Sequence, residues 1–599
     1  MLDIISTYKK LLFLLSPSER REFMILTFMI FILSIIELIG IGSIFPFIAL
    51  ISNPQAIESN ILLSEIYQYA LDLGITNSNE FTFYIGVLVF VLLVSSISLR
   101  AFITYSQIKY IERLRFNMSR RLIESYLHQP YSWFASQHSA DLGRKILIEV
   151  GNVIMNGFNS LLELIARVMI SFFIISLLVY LTPKISIILA TTLGSIYILF
   201  YILSRSYTRK LGQSALDSNQ SRFTTVSEGF RGIKEMKLSR LENVYLRLFS
   251  KYSDTFAKSE THSQIINQLP KFILEATIFG GLIFVLLFMM KTNVNFIEML
   301  PSFSLFIFAA YRIAPSFNQI YSSINKISYV NPIIDKLYSD FNKLKILDKA
   351  ECSENIIFDK SITLKNIHYR YPESTNDILE NINLEIAAKS TIGIIGTTGS
   401  GKTTTVDIIL GLLEPQKGTL EIDKKVIAHE NLISWQKMIG YVPQKIHLIG
   451  DTIAANIAFG VPADEIDMNA VKRAAEAADL DGYINNYLPE KYTTYVGEQG
   501  IKLSGGQCQR IGIARAIYRN PQVIVLDEAT NSLDEQTERT VINNLHNLHD
   551  NLTIIMISHR YSSLDKCEQI YQVEGGRIIK ETTFKDLISK KITNDTPHS

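Results

Sequence analysis

Cysteine is scarce in this chain of 599 residues, and none occurs in the N-terminal half. The three cysteines, Cys352, Cys508 and Cys567, are odd in number and match no zinc-site spacing. A disulfide framework or a structural metal is therefore not expected. Reduced thiols are typical of the cytosol, which is where we expect the C-terminal half to lie.

An excess of charge is also missing, because 58 Lys and Arg residues balance 57 Asp and Glu residues. The net charge of +1 gives no electrostatic basis for binding nucleic acid. The apolar share of 48% is high for a soluble enzyme. No small-residue cleavage site follows the amphipathic stretch at 1–23, so we expect an interfacial helix there rather than a signal peptide.

Long apolar runs dominate the N-terminal half, and each approaches the ~20 residues that a membrane-spanning helix needs. Lys and Arg cluster on alternate sides of these runs, and the connector at 52–80 contains neither. The positive-inside rule then places both termini in the cytoplasm. We predict six spans, at about 24–51, 81–105, 159–182, 185–205, 272–290 and 296–320.

The two connectors on the predicted cytoplasmic side are long and polar, and their composition is compatible with helices. Helices of this length would extend ~25 Å or more from the membrane and turn back. We place the turning points at 129–138 and 229–242; ordinary flexible loops are the alternative. On the outer side, an apolar stripe predicts either a short surface helix at about 60–73 or a packed loop helix.

Ionisable residues inside the predicted spans are candidates for substrate binding, because a charge in hydrocarbon is costly. Arg100 lies near the end of the second span, and Arg312 lies in the sixth. A guanidinium suits phosphate, so both could line a cavity for an anionic head group. The alternatives are snorkelling to the interface and a cross-helix ion pair with Glu37 of the first span.

The C-terminal half carries a phosphate-binding loop at 396–403, Gly-Thr-Thr-Gly-Ser-Gly-Lys-Thr. Its glycines let successive backbone N–H groups point at a polyphosphate, and the following helix adds its positive dipole end. Lys402 would reach the β- and γ-phosphates, and the Thr403 hydroxyl would ligate Mg²⁺. The predicted nucleotide contacts are Gly396, Thr397, Thr398, Gly399, Ser400, Gly401, Lys402, Thr403 and Thr404.

Three further apolar runs of strand length end in polar residues that suit phosphate hydrolysis. Gln444 follows the first and could ligate Mg²⁺ or place water. Asp527 and Glu528 follow the second: Asp527 would hold Mg²⁺ through water, and Glu528 would polarise the attacking water. His559 follows the third and could contact the γ-phosphate.

Two more features suit a nucleotide. Residues 503–507, Leu-Ser-Gly-Gly-Gln, open a helix, and Ser504, Gly505, Gly506 and Gln507 would form a second anion site there. Tyr371 ends a short strand pattern upstream of the phosphate loop, where it could stack on adenine. A buried strand tyrosine is the alternative.

In this order, the motifs resemble those of the nucleotide-binding domain of ATP-binding-cassette transporters, and the whole chain resembles a half-size exporter. Cys508 stands where the family usually has Lys or Arg, which leaves the phosphate-contacting residues intact. The matching positions are Tyr371 (A-loop), 396–403 (Walker A), Gln444 (Q-loop), Glu498 (X-loop), 503–507 (signature), 523–528 (Walker B with its catalytic glutamate), Asp534 (D-loop) and His559 (switch histidine).

The resemblance implies a six-span α-helical transmembrane domain with long cytoplasmic helical extensions, followed by an α/β, RecA-like nucleotide-binding domain. We assign residues 1–340 and 356–590 to these domains, 341–355 to a linker and 591–599 to a polar tail. ATP and Mg²⁺ are the implied cofactors. In the family, ATP is held between the Walker A loop of one copy and the signature of another, with Asp534 nearby. A homodimer in the bacterial inner membrane, with cytoplasmic ATPase domains, is expected; a heterodimer with a degenerate partner is the alternative.

The substrate is indicated by the segment at 304–319 and by the surroundings of Arg100 at 98–102. Together with the outer stretch at 60–73, they resemble bacterial flippases of lipid-linked oligosaccharides, whose pyrophosphate would explain arginines within the membrane. Gln319 departs from the pattern, because those flippases tend to have a basic residue there.

Other functions are compatible with the sequence. Export of a peptide or a small toxic compound is the main alternative, although the lack of cysteine before Cys352 argues against exporters that cleave their own peptide cargo. A channel or receptor regulated by ATP is a minor alternative. A soluble cassette ATPase of DNA repair or translation is excluded by the six apolar runs.

Overall fold

The chain folds into two compact units. The first comprises residues 1–129 and 137–346, and the second comprises 130–136 and 347–599. The tail at 591–599, Glu498, and most of the linker and of the outer stretch 60–73 lie outside the described residues. The computed structural model describes residues 2–43, 47–48, 50–51, 67–68, 72, 78–181, 183–292, 296–344, 355–371, 374–497, 500–548 and 552–587.

The first unit consists of helices, several of them much longer than a bilayer is thick. Two of them have 49 and 51 residues, or roughly 75 Å at ~1.5 Å per residue, against a hydrocarbon core of ~30 Å. Helical extensions beyond the membrane follow from these lengths. The helices up to the linker, including the short α4 of the second unit, are α1 (Leu2–Leu14), α2 (Pro17–Gly42), α3 (Ser78–Leu127), α4 (Tyr131–Ala135), α5 (Ser139–Arg144), α6 (Val150–Asn152), α7 (Ser160–Leu181), α8 (Pro183–Arg231), α9 (Ile233–Leu238), α10 (Glu242–Thr292) and α11 (Phe296–Lys343).

Three stretches of the described chain are long and apolar enough to cross a membrane: Pro17–Gly40, Asn79–Leu127 and Ala140–Tyr180. The other three predicted spans lie within helices α8, α10 and α11. The count of six spans therefore stays a prediction. Helix α2 covers the first predicted span, 24–51, up to Gly42, and residues 47–48 and 50–51 are also helical, whereas 44–46 and 49 lie outside the described residues. Glycine weakens a helix, and two glycines stand at this end.

Short helices occupy both predicted cytoplasmic turns. Helix α4 lies in the turn at 129–138, and helix α9 lies in the turn at 229–242. The long helices on either side of α9, α8 and α10, pack against each other. The flexible-loop alternative is therefore wrong for both connectors.

Two π-helical segments, Lys145–Glu149 and Val153–Asn159, interrupt the helical stretch between α5 and α7. Beside the first of them, the wholly buried Arg144 side chain pairs with Glu149 and with Asp141. Lys145 Nζ reaches Asp340 of α11 at 2.9 Å. Because buried charges must be paired, the Arg144 contacts hold the stretch together and the Lys145–Asp340 pair joins it to α11.

The second unit is built on two sheets. The six-stranded sheet has the order β10-β9-β3-β8-β7-β6 and is parallel except for β10; the four-stranded sheet, β2-β1-β4-β5, is antiparallel. The strands are β1 (Ser361–Tyr369), β2 (Leu379–Ala387), β3 (Thr391–Ile395), β4 (Lys417–Ile422), β5 (Lys425–Val426), β6 (Ile439–Val442), β7 (Val523–Asp527), β8 (Thr553–Ile557), β9 (Gln569–Glu574) and β10 (Arg577–Thr582).

The central strands read as continuous apolar runs because both faces of the larger sheet are covered. Val523 and Val525 of β7 face a core shared with the smaller sheet, and Ile524 and Leu526 face a core shared with helices. The carboxyl ends of β3, β6, β7 and β8 meet at one edge, where ligands bind in open parallel sheets. The α-helices of this unit after α4 are α12 (Lys402–Ile409), α13 (Leu432–Gln436), α14 (Ile453–Ile457), α15 (Met468–Ala477), α16 (Asp481–Tyr487), α17 (Gly505–Tyr518) and α18 (Glu535–Leu548).

Candidate active site

The loop after β3 is shaped by glycine. Gly399 and Gly401 have φ values of 81° and 103°, a region that favours glycine. A Cβ on Gly401 would also lie 2.6 Å from Leu379 Cδ2. Helix α12 therefore begins at Lys402 directly after the loop, and its free N–H groups and dipole are available to an anion.

Side chains of this loop fit a polyphosphate. Lys402 Nζ donates hydrogen bonds to the carbonyl oxygens of Gly396 and Thr397, both at 2.9 Å. Burial lowers the pKa of Lys402, whereas the negative charges of Glu528 and Asp527 act in the opposite direction and raise it. The Ser400 hydroxyl is buried and has no hydrogen-bond partner within the described part of the chain. Thr397, Thr398 and Gly399 of the loop, in contrast, are exposed, as is Thr403 in the first turn of α12.

Glu528 is held by three side chains from three different loops. Gln444 Nε2 donates to its Oε2 at 2.6 Å, and Asn531 Nδ2 donates to the same oxygen at 3.0 Å. His559 Nε2 lies 3.0 Å from Oε1. The structure thus brings together the three residues predicted to be catalytic and adds Asn531, which the sequence analysis missed. The sequence signal for Asn531 was its amide side chain three residues after Glu528, at the acidic end of β7.

The backbone of Glu528 is also unusual, because its φ of 49° lies in the left-handed region. Such a conformation costs a non-glycine residue of order 1 kcal/mol or more and is concentrated at functional sites. Its N–H donates to the carbonyl oxygen of Ile557 at 3.0 Å, which joins the ends of β7 and β8.

Asp527 ends β7 and is buried. Burial raises its pKa, and the neighbouring Glu528 charge raises it further. The Tyr441 hydroxyl lies 3.4 Å from Asp527 Oδ2 and donates to it. A cation bound nearby would relieve this destabilised carboxylate.

A second buried carboxylate, Asp407 of α12, was not predicted from the sequence. Burial raises its pKa to about 6, and the charge of Asp527 adds to the shift. Asp407 also raises the pKa of Tyr131 in α4, for which burial is the larger cause. The phosphate-loop helix and α4 therefore lie near each other within the second unit.

Asp407→Asn is expected to stabilise the protein above pH 6. A carboxyl whose pKa is raised by folding binds its proton more tightly when folded, so its stability contribution falls as the pH rises from about 4 to about 6. Allowing for solvent screening, we expect a gain of about 1 kcal/mol, or ~2–4 °C in thermal midpoint, at pH 7.5. Scanning fluorimetry between pH 5 and 7.5 measures it, and the gain should shrink at the lower pH.

The matched control is Asp423→Asn, which should act in the opposite direction. Although burial opposes it, three backbone N–H groups, of residues 359–361, bind this carboxylate at 2.8 Å each and hold its pKa below the usual value. Losing them should lower the midpoint at pH 7.5. A lower midpoint for Asp407→Asn as well would contradict the electrostatic account.

Tyr371 lies two residues beyond the end of β1, not at the strand end as expected. The rings of Tyr369 and Tyr371 meet edge to face, with centroids 5.1 Å apart. Tyr371 is half-buried, which leaves part of the ring accessible for stacking. Its contact with adenine stays a prediction.

The signature residues form a helix start. Ser504 caps α17: its hydroxyl accepts from the Gln507 N–H at 3.3 Å, and its N–H donates to Gln507 Oε1 at 2.8 Å. A Cβ on Gly506 would lie 3.1 Å from the Ser532 carbonyl oxygen, so the loop before Asp534 approaches closely. Gln509 Oε1 binds the Ser532 N–H at 2.9 Å.

Asp534 has a clear structural role, because its carboxylate accepts from the N–H and the hydroxyl of Thr537 at 2.9 and 2.8 Å. These bonds hold its pKa below the usual value and cap α18. Nucleotide contact by Ser504, Gly505, Gly506, Gln507 and Asp534 stays a prediction.

The predicted substrate residues lie in the first unit. Arg100 pairs across helices with Glu37, as the alternative interpretation anticipated; 34% of the Arg100 side chain and 1% of the Glu37 side chain are exposed. The side chain of Arg312 lies outside the described residues. Gln319 donates to Glu163 of α7, which also accepts from Asn159 at 3.2 Å.

Comparisons with known proteins cover both units. The family model for the ABC transporter matches residues 379–531, and the model for the ABC transporter transmembrane region matches 41–312. A protein of Ralstonia nicotianae named "ATP-dependent lipid A-core flippase" is 27% identical over 482 residues, which is 79% of this chain and 80% of that protein. "ABC transporter B family member 29, chloroplastic" of Arabidopsis thaliana is 36% identical over 44% of this chain and 42% of its own length.

The fold has a close counterpart among solved structures. A bacterial Atm1-family ABC exporter with ATP bound superposes with a TM-score of 0.78, at 18% identity, over 95% of this chain and 97% of that one. The transmembrane region, the nucleotide-binding domain and the exporter fold are thus all present on one polypeptide. The chain belongs to the ABC transporter family and is an integral membrane protein that binds ATP and couples its hydrolysis to transport.

Proposed function

We propose that the chain is a flippase of the bacterial inner membrane that moves an anionic lipid-linked oligosaccharide pyrophosphate from the inner to the outer leaflet. The observation that carries this proposal is Arg100, a partly exposed guanidinium in the apolar part of α3. Similar proteins that are named lipid A-core flippases support an amphipathic anionic lipid. The Glu37 carboxylate pairs with Arg100 across the helices, because an unpaired charge in the apolar part of a span would be costly.

The active site can perform the hydrolysis with its own side chains. Lys402, now bound to loop carbonyls, would turn to the phosphates, and the Ser400 hydroxyl would donate to them. Glu528 would accept the proton of a water molecule positioned by Gln444, while His559 holds the carboxylate from the other side. When bound, ATP supplies the phosphoanhydride bond whose cleavage resets the transporter.

A magnesium ion fits the same edge of the sheet. Thr403, Gln444 and Asp527 would hold it, directly or through water, and Mg²⁺ characteristically takes few protein ligands beside the phosphates. The described residues contain no group of three or more His, Cys, Asp or Glu side chains able to hold a metal alone. The ion would therefore arrive with the nucleotide.

We further propose a homodimer, in which each copy supplies its signature to the other's phosphate loop. Helix α9 supports this, because apolar side chains at and around it face solvent in one copy. Phe230 is 72% exposed, Leu238 is 84% exposed and Leu246 is 61% exposed. Apolar surface of this kind marks an interface, and a second copy is the partner that the family's mode of ATP binding requires.

Leu238→Asp is expected to lower ATPase activity by about 10-fold or more, because a charge at a buried interface side chain costs at least the ~1.4 kcal/mol that this factor represents. The dimer fraction, measured by mass photometry in detergent, should fall in parallel. Tyr487→Asp is the control, since that side chain is 75% exposed in the other unit and should change neither quantity. If Leu238→Asp changes neither the dimer fraction nor the ATPase activity, α9 does not lie at the dimer interface.

The direct test is transport by the purified chain. Proteoliposomes that contain only this chain should move a fluorescent polyprenyl-pyrophosphate oligosaccharide when ATP is added, and the Glu528→Gln variant should not. If only a lipid A-core analogue moves, the substrate belongs instead to the class named for the similar flippases. Robust ATPase activity without movement of either lipid would favour export of a peptide or amphipathic drug. ATP-dependent ion conductance without stoichiometric transport would indicate a regulated channel.

A further inference from the structure

Arg560 directly follows the switch histidine, and its side chain contacts the loop at 531–534, which precedes α18. The guanidinium donates to two backbone carbonyl oxygens of this loop, from Nη2 to Asn531 at 2.8 Å and from Nη1 to Leu533 at 3.2 Å. A guanidinium presents several donors in a rigid plane, so one side chain can bind both oxygens at once. Arg560 therefore joins the loop after β8 to the loop after β7.

This arginine is held in place at both its backbone and its side chain. The buried Ser558 hydroxyl accepts from the Arg560 N–H at 2.9 Å and donates to the Arg560 carbonyl oxygen at 3.1 Å. The guanidinium lies 3.9 Å from the carboxylate of Glu538 in α18, a side chain that is 2% exposed. Glu538 in turn accepts from the buried Ser563 hydroxyl at 2.5 Å. A donor that is fixed in this way can hold its acceptors in one position.

Through this contact, the loop after β8 holds both carboxylate oxygens of Glu528. His559 Nε2 lies 3.0 Å from Oε1. Asn531 Nδ2 donates to Oε2 at 3.0 Å, and the carbonyl oxygen of the same asparagine accepts from Arg560. Gln444 also donates to Oε2, at 2.6 Å, from a third loop. The loop after β8 thus binds one oxygen directly and the other through a single intermediate residue.

The backbone of the 531–534 loop is bound by side chains at three consecutive residues. Between the two carbonyl oxygens that accept from the guanidinium, the Ser532 N–H donates to Gln509 Oε1 of α17 at 2.9 Å. These bonds restrict the movement of Asn531 away from Glu528. The restriction matters because the φ of Glu528, 49°, is unfavourable for a residue with a side chain and persists only where surrounding contacts hold it.

We propose that Arg560 is a positioning residue for ATP hydrolysis. It fixes the 531–534 loop so that Asn531 holds one oxygen of Glu528 while His559 holds the other, and the carboxylate keeps the orientation in which it accepts a proton from water. A residue of this kind changes kcat through another side chain and leaves the affinity for ATP unchanged. This role rests on the proposed function of Glu528 as the proton acceptor.

Steady-state ATPase kinetics of the purified full chain test this role. Arg560→Ala is expected to lower kcat about 5- to 10-fold, because a displaced catalytic group slows the reaction, while KM for ATP stays within about 2-fold. Arg560→Lys should retain part of the activity, since an ammonium is charged but lacks the planar fork that matches both carbonyl oxygens. The control is Arg539→Ala, an exposed arginine of α18 that pairs with Glu535 at 2.8 Å, and it should leave both constants unchanged.

A double-mutant cycle tests whether Arg560 acts through Asn531. If it does, Arg560→Ala/Asn531→Ala should lower kcat no further than the stronger of the two single substitutions. A reduction equal to the product of the two single effects would mean that the residues act independently, and it would overturn the proposal. A wild-type kcat for Arg560→Ala, or a higher KM with unchanged kcat, would overturn it as well.

The thermal midpoint of each variant shows whether it is folded. If Arg560→Ala does not fold, Arg560→Met, which keeps the apolar stem but cannot donate, takes its place with the same expected result. The role of Glu528 is tested separately. Wild-type turnover in Glu528→Gln would remove the proton acceptor itself, whereas wild-type turnover in the Arg560 variant beside an inactive Glu528→Gln would remove only the positioning role of Arg560.

Discussion

Replacing Glu528 by glutamine is expected to lower ATP hydrolysis by about 100-fold or more while ATP still binds, because the amide cannot take a proton from water. Glutamine has nearly the same shape as glutamate, so the contacts that hold residue 528 change little. ATPase activity and binding of a fluorescent ATP analogue, measured on the same preparation, separate the two effects. Glu535→Gln is a suitable control, since Glu535 is 61% exposed and pairs with Arg539 within α18.

Turnover at the wild-type rate in Glu528→Gln would end the catalytic assignment of this carboxylate. Asn531→Ala sharpens the comparison. The Asn531 side chain donates to Glu528 Oε2 at 3.0 Å, so we expect its loss to reduce the rate of hydrolysis through the position of the carboxylate. A partial decrease in kcat with unchanged ATP affinity is the expected signature of such a positioning residue.

Gly212→Val is expected to destabilise the first unit severely and to abolish transport. A Cβ at this position of α8 would lie 1.9 Å from the Tyr329 carbonyl oxygen of α11, and backbone cannot move aside as a side chain can. Overpacking that side chains can absorb costs about 1–3 kcal/mol, so this substitution should reach or exceed that range. The strain also reaches α10, because the Tyr329 hydroxyl donates to Glu260 at 2.6 Å.

The same helix offers a matched control for this prediction. Gly194 also lies in α8, and a Cβ there would meet no atom of the described residues within 4 Å, so we expect Gly194→Val to fold and transport like the wild type. Thermal midpoint in detergent and transport in proteoliposomes provide the two readouts. A Gly212→Val chain with the wild-type midpoint would show that α8 and α11 are less closely packed than the structure has them.

The parts of the site that could be predicted from sequence are those fixed by local geometry. The phosphate loop, the acidic end of β7 and the histidine at the end of β8 each follow a buried strand, and parallel strands bring their carboxyl ends together. Asp407 was missed because its role arises from packing rather than from a pattern along the chain, whereas Asn531 stands three residues after Glu528 and could have been found from that spacing. An acidic residue near the start of a helix is common in sequences. The structure shows that Asp407 is buried and that the charge of Asp527 acts on it.

The first unit shows the same limit more clearly. The apolar runs predicted long helices, and α7 lies within the third predicted span of 159–182, although the helical stretch extends before it as π-helical turns. Hydropathy did not show that α2 ends at Gly42. Hydropathy also could not show which group pairs with Arg100. Glu37 lies 63 residues away along the chain, and the sequence is compatible both with this ion pair and with an anionic substrate. Such pairings depend on which helix faces lie opposite each other.

The two π-helical segments before α7 affect how this chain should be aligned with its relatives. Each wide turn accommodates one residue more than an α-helical turn, and one residue turns a helix by ~100°. An α-helical wheel drawn through 139–181 would therefore misplace side chains after Val153–Asn159 relative to those before Lys145–Glu149. Homologues with single-residue deletions in either segment are compatible with the same fold. Gaps within these segments should be accepted, and gaps within α7 should not.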